Sequence, residues 1–350
     1  MSTPKTNPGN YFEDFSVGQL IEHATPRTIT AGDVALYVAL TGSRFALGTA
    51  EPFAHCLGFP ETPVDDWLVF HMVFGKTVPD VSLNAVANLG YAAGRFLAPV
   101  YVGDTVQATS EVIGLKENSN GETGTVYVRS IGQNQLGETV LDYVRWVMVR
   151  KRDKASPAPA PHVPDLPDAV PVEALAVPED LVMGTYDHGR AGASWRWGDY
   201  AVGEKIDHVD GMTIEEAEHQ LATRLYQNTA KVHFNQFEQG QGRFGRRLVY
   251  GGHVISLARA LSFNGLGNAF KIAGLNGGRH VAPCFAGDTV FAWSEVVAAE
   301  PVPGRVDLGA LRLRTYATKN RPAHDFPGRT DGGYDPAVIL ELDYWAFMPR

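Results

Sequence analysis

Cysteine is almost absent: Cys56 and Cys284 are the only two in 350 residues. A pair this far apart builds no disulfide framework, and a reducing, cytoplasmic setting is expected. Positive charge is also scarce, since 30 Lys and Arg stand against 39 Asp and Glu and leave a net charge of −9. Nucleic acid is thereby excluded as a partner, because a phosphate backbone needs a basic face, although local arginines can still meet a small anion. No apolar run approaches a membrane span, and Met1 to Asn10 lacks the apolar core of a signal peptide, so neither a bilayer nor secretion is expected. The histidines and cysteines show no zinc spacing, and no metal is expected. What remains is a chain of ordinary composition, long enough for two or three domains that each bury a core.

The chain contains the same text twice, roughly 185 residues apart. Gly94-Arg95-Phe96-Leu97-Ala98-Pro99-Val100-Tyr101-Val102-Gly103-Asp104-Thr105-Val106 is answered by Gly278-Arg279-His280-Val281-Ala282-Pro283-Cys284-Phe285-Ala286-Gly287-Asp288-Thr289-Val290. Asp14-Phe15-Ser16-Val17-Gly18 pairs with Asp199-Tyr200-Ala201-Val202-Gly203, and Leu141-Asp142-Tyr143 with Leu342-Asp343-Tyr344. Matches that keep their order make two copies of one folding unit, and each copy serves as a control on the other.

Residues 151–180 hold seven of the 22 prolines. Proline at that density fixes φ and removes backbone donors, so neither helix nor sheet runs through it. The expected division is a first unit over 1–150, a Pro/Ala-rich linker over 151–194 that lets the second unit swing round beside the first, and a second unit over 195–350. Each unit reads alike. A short opening strand ends near Val17-Gly18 or Val202-Gly203. A helix follows over Thr28 to Thr41 or Thr213 to Tyr226, its first threonine suited to capping. A longer apolar helix spans Asp65 to Val78 or Gly251 to Phe263, with Val254, Leu257, Ala258 and Leu261 at helical spacing. Strands then follow over Thr105 to Leu115, Thr125 to Ile131 and Val140 to Val149, echoed by Thr289 to Val297, Leu311 to Thr318 and Val338 to Met348. The fold class is α+β: in each unit an antiparallel sheet wraps one long helix, and two units can join edge strands into one sheet.

The doubled Gly-Asp-Thr-Val strand start and the segment around His233 resemble the MaoC-like hydratases of the tandem, or double, hotdog fold. Segments such as His23-Ala24-Thr25-Pro26-Arg27-Thr28, Phe74-Gly75-Lys76-Thr77-Val78-Pro79-Asp80, Arg145-Trp146-Val147-Met148-Val149-Arg150 and Tyr226-Gln227-Asn228-Thr229-Ala230-Lys231-Val232-His233-Phe234-Asn235 are similar to the mesaconyl-CoA hydratases, also called β-methylmalyl-CoA dehydratases. The resemblance covers the chain outside the linker. It implies a hydro-lyase on an acyl-CoA substrate, with CoA as part of that substrate, no separate cofactor, and a homo-oligomer. Other readings compatible with the fold are hydration of another branched or short enoyl-CoA, a hotdog thioesterase, and a non-catalytic acyl-CoA-binding protein.

The family motif places an Asp five residues before a His. At the repeat offset the second copy offers Asn228 and His233, and the first offers Ser43 and Gly48, so only one half carries the imidazole. Imidazole gives and takes a proton near neutral pH. An amide at 228 cannot transfer a proton but can orient water; a carboxylate from elsewhere, with Asp65 the nearest in sequence, and the substrate's own carboxylate are the alternatives, and Asp65 and Asp66 equally suit helix capping. Gly251 and Gly252 open the second long helix, where free amides can face a thioester oxygen. Arg44, Arg224, Arg246 and Arg247 are the candidates for a substrate carboxylate or CoA, since a guanidinium fork suits such anions. Arg95 and Arg279 recur in both copies, as structural residues or CoA contacts. Gly240-Gln241-Gly242-Arg243-Phe244-Gly245 matches a dinucleotide pattern but follows a polar stretch with no βαβ unit, and reads as a loop.

Overall fold

The repeat in the sequence is also a repeat in the path of the chain. The structure, a computed structural model, describes residues 5–350; the first four residues of the polar N-terminal stretch lie outside it. The first half runs β1 (Leu20–Thr28), α1 (Ala31–Thr41), α2 (Glu51–Cys56), α3 (Asp66–Thr77), β2 (Ala85–Phe96), β3 (Thr105–Glu117), β4 (Thr123–Gln133) and β5 (Thr139–Arg150). After α4 (His188–Ala191) the second half runs β6 (Lys205–Thr213), α5 (Glu216–Leu225), α6 (Lys231–Phe234), α7 (Gln236–Gln239), α8 (Gly251–Leu261), α9 (Phe263–Leu266) and β7 (Lys271–His280). It closes with β8 (Thr289–Pro301), β9 (Leu308–Lys319), the two-residue strands β10 (Arg329–Thr330) and β11 (Gly333–Tyr334), and β12 (Val338–Pro349).

Ten long strands form one antiparallel sheet in the order β1-β3-β4-β5-β2-β7-β12-β9-β8-β6. The order reads the same from either end once each strand is replaced by its repeat partner. The halves meet where β2 pairs with β7, Tyr91 opposite Gly278 and Arg95 opposite Gly274. Alternating burial along β3 shows one sheet face covered. That face receives α3, buried from Trp67 to Thr77, and α8, buried from Gly252 to Leu261. These two helices and the strands they cover make one apolar core through both halves.

Several local expectations are corrected. Val17-Gly18 and Val202-Gly203 do not end strands. Gly18 (φ +84°) and Gly203 (φ +86°) reverse the chain in the left-handed region, and β1 and β6 start after them. The cap of α1 is Thr30, whose hydroxyl accepts from Asp33 N–H, and α5 is preceded by Glu215; Thr28 and Thr213 end strands. The segment between β9 and β12 contains the small β10–β11 pair. The central strands β2 and β7 were missed altogether.

The proline-rich segment has little regular structure, yet it is not a free tether. Val170, Leu175, Leu181, Met183 and Tyr186 are buried with Phe53 and Leu57 of the first half and Phe270, Trp345 and Phe347 of the second. Val170 donates to Asn276 Oδ1 (2.8 Å) and accepts from Trp345 Nε1 (2.9 Å). Val182 N–H reaches Leu57 O at 3.0 Å. Among the described residues no helix is long and apolar enough to cross a membrane, and no group of three or more His, Cys, Asp or Glu is placed to hold a metal ion. Both cysteines are free thiols.

Candidate active site between the two halves

His233 lies on the one-turn helix α6, half-buried, with Nδ1 3.1 Å from the Leu248 carbonyl oxygen. A carbonyl only accepts, so Nδ1 carries the proton and Nε2 is left as a free lone pair. The ring packs edge-on against Tyr250 at 5.5 Å. Tyr250 is the N-cap residue of α8, so residues 248–250 bring the imidazole to the start of that helix. Gly251 and Gly252 provide its first amides, and no acceptor among the described residues engages either one. Packing also requires these glycines. A Cβ on Gly251 would meet His280 at 2.5 Å, and one on Gly252 would meet Tyr250 at 2.4 Å.

Four further histidines surround this corner: His71, His219, His253 and His280. Burial pulls His233, His253 and His280 down to about 4, with His219 adding to the effect on His233 and on His253 and His233 adding to that on His280; His71 and His219 are lowered as well. All five imidazoles are therefore neutral near pH 7. His71 sits 4.5 Å from the Tyr226 ring, and its Nε2 is 2.8 Å from Ser256 Oγ. Ser256 in turn meets Tyr37 OH at 2.9 Å, and Tyr37 OH approaches Asp65 Oδ1 at 3.3 Å. Sequence reasoning missed this His–Ser–Tyr–Asp chain. His71 and Ser256 are repeat counterparts, and they meet where α3 and α8 pass one another.

A cleft of about 500 Å³ opens beside the histidines. Ala24, Thr25, Gly75, Lys76 and Pro79 line it from the first half, and Gln220, Thr223, Arg224, Gln227, Asn228, Thr229 and Phe234 from the second. Buried Asn228 accepts from Ala230 N–H through Oδ1 at 3.0 Å, and no acceptor among the described residues takes its amide donors. His233 itself is not in the lining, but it is joined to it: Gln220 donates to the His233 carbonyl at 2.7 Å, and Phe234 is its neighbour in sequence.

The remaining candidates, Arg224 apart, fall elsewhere. Asp65 is the N-cap of α3 and accepts from Trp67 N–H at 2.9 Å. Burial, then Asp66, raises its carboxyl. It lines a separate pocket of about 30 Å³ with Gly48, Asp66, Arg259 and Lys271. Gly48 is the counterpart of His233, so this is the same corner of the first half, shrunk to little more than a water. Arg44 lies 3.9 Å from Asp210 on the surface, Arg246 donates to Ala286 O at 3.4 Å, and Arg247 pairs with Glu216 at 2.5 Å. Of the four arginines only Arg224 lines the cleft. Arg95 pairs with Asp142, while Arg279 lines a second groove on the sheet at the β2–β7 junction. The glycine-rich 240–245 segment is a turn after α7, with no βαβ unit around it.

Two antiparallel sheets fused edge to edge, each wrapping its own helix, with one imidazole-bearing corner and one closed counterpart, define a double hotdog of the MaoC-like class. A MaoC domain protein dehydratase from Chloroflexus aurantiacus superimposes with a TM-score of 0.97 at 65% identity over 99% of both chains. A Mycobacterium tuberculosis protein with a double hotdog fold superimposes at 0.74 with 25% identity, covering 98% and 99% of the two chains. The chain belongs to the mesaconyl-CoA hydratase family, whose model matches residues 3–331. It is 65% identical to the β-methylmalyl-CoA dehydratase of Chloroflexus aurantiacus over 99% of each protein. It is 60% identical to the mesaconyl-CoA hydratase of Cereibacter sphaeroides over 99% of this chain and 100% of that one.

Proposed function

We propose that this protein is a hydro-lyase that reversibly adds water across the double bond of mesaconyl-CoA to give β-methylmalyl-CoA. The observation that carries the reading is full-length identity of 65% and 60% to relatives bearing those names. The thioester polarises the alkene, so the hydroxyl of water adds to the β-carbon and a proton goes to the α-carbon. That activation resides in the substrate, and the reaction needs no cofactor or metal beyond it.

In this reading His233 Nε2 takes a proton from water and returns it to the α-carbon. The Leu248 carbonyl, by holding the proton on Nδ1, keeps Nε2 ready. Asn228 orients the water through the amide donors that its Ala230 contact leaves free. The amides of Gly251 and Gly252 receive the thioester oxygen as it gains enolate charge, a donor contribution of roughly 3 kcal/mol each. Asp65 acts on His71 through Tyr37 and Ser256 rather than on substrate.

Replacing His233 with Ala should slow hydration by roughly 10²–10⁴-fold, followed by loss of enoyl absorbance. A folded variant that turns over at the normal rate would remove His233 from the mechanism. Thiol release in the same assay would turn the reading to a thioesterase. The reading includes a cytoplasmic setting, supported by two free thiols, and a homo-oligomer, supported by exposed apolar side chains such as Phe237 at 84%; light scattering tests the latter.

A further inference from the structure

Lys76 occupies the last turn of α3, and only 4% of the residue is exposed. Its ammonium donates to Gln227 Oε1, and no carboxylate among the described residues pairs with it. A buried charge without a counter-ion is among the costliest arrangements a fold can hold. Burial, and then repulsion from Arg27, pulls this amine down to about 8. The fold does not demand it: the repeat counterpart on α8 is Leu261. Gln227, which receives the ammonium, is a non-glycine residue held at φ +51°, a strain of the sort kept at working sites. The cleft they line contains two cations, Lys76 and Arg224, and no acid. In a protein of net charge −9, an acid-free cleft with a deep cation points to an anionic guest.

We propose that Lys76 receives the free carboxylate of the substrate's acyl group, with Gln227 aiming the ammonium and exposed Arg224 left for the phosphates of the CoA arm. The assignment rests on the mesaconyl-CoA reading. In that substrate the carboxylate is bonded to the β-carbon, so holding it fixes the carbon that water must reach. An uncharged acyl group would leave the lysine buried and unanswered, which makes Lys76 a residue of specificity.

Succinyl-CoA and butyryl-CoA have the same acyl chain length and the same CoA, and only the first has the acyl carboxylate. Calorimetric titration of the wild type and of Lys76→Met with both should show succinyl-CoA weakened about 10- to 100-fold and butyryl-CoA changed by about threefold or less. Equal losses would assign the lysine to CoA phosphates, and no loss would leave it without a ligand; either result overturns the proposal. The wild type supplies a test that survives if the variant does not fold. The amine binds a carboxylate only when protonated, so the ratio of succinyl-CoA to butyryl-CoA dissociation constants should climb above pH 8, by up to about tenfold per unit. The charged groups facing Lys76 are Arg27 from β1 and Arg224 from α5, beside the neutral Gln227. A flat ratio from pH 7 to 10 overturns the proposal. Failure of the substrate reading looks different: the wild type would discriminate the two ligands yet leave mesaconyl-CoA unhydrated.

Discussion

His233 is held in one tautomer by the Leu248 carbonyl and pulled down to about 4 by burial, with His219 nearby. As a base it must be neutral, and it is neutral above that value. The acid limb of kcat/KM should therefore fall near pH 4 to 5, with a plateau through pH 6.5; a limb at 6.5, the ordinary value for histidine, would contradict this environment. Asn228→Ala should cost about tenfold or more in hydration, whereas Asp65→Asn, which keeps an acceptor for Trp67 N–H, should stay within about tenfold. A larger loss for Asp65→Asn would make its carboxylate the missing proton donor. The candidate site was legible where the two copies differ by a missing side chain: His233 against Gly48 stands out on alignment. Of the arginine candidates Arg44, Arg246 and Arg247 fall outside the cleft lining, because a sequence does not show which cations already have partners. Lys76 gave a usable signal, a charge inside an apolar helix whose counterpart is Leu261, but it resembles the basic residue that ordinarily closes a helix.

At the scale of the element, both long helices and six of the ten long strands follow from periodicity and β-branched runs, while the two strands that join the halves do not. Ala85–Phe96 carries Gly90 and Gly94, and Lys271–His280 carries Gly274, Gly277 and Gly278. Glycine weakens strand propensity, so local reading demotes these strands, yet the junction needs it. A Cβ on Gly90 would meet the Trp146 ring at 2.3 Å, on Gly94 the Leu275 Cβ at 2.7 Å, and on Gly278 the Tyr91 ring at 2.8 Å. The strands form because each has a partner on both sides. Gly90→Ala should lower stability by about 1–3 kcal/mol in urea unfolding. Gly48→Ala, where a Cβ meets nothing within 4 Å, should change it by about 0.5 kcal/mol or less. Equal effects would mean that the glycines of β2 serve something other than close packing.

Across the whole molecule the halves form one unit through the shared sheet, the common core and the strapped linker, so their buried histidines act together on stability. Seven imidazoles are lowered by burial: His71, His188, His208, His219, His233, His253 and His280, four of them to about 4. In the unfolded chain each titrates near 6.5. Between pH 6.5 and 4 the unfolded state thus binds protons that the fold refuses, and stability must fall as pH falls through that window, by about 1.4 kcal/mol per unit for each fully shifted group. Asp65 opposes the trend, since its raised carboxyl takes up a proton more readily folded than unfolded, but it is one group against seven. The arginine-paired Asp142 is held below the usual carboxylate range, and the stability it contributes is lost only as pH drops below about 3.8. Tm should accordingly decline steeply from pH 6.5 to 4, before the carboxylates titrate. Replacing buried His253, whose Nδ1 has no partner, with Phe should make that decline shallower. A Tm that stays level until pH 4 would show that the histidine cluster already holds protons in the native state, and His233 could not then serve as the neutral base.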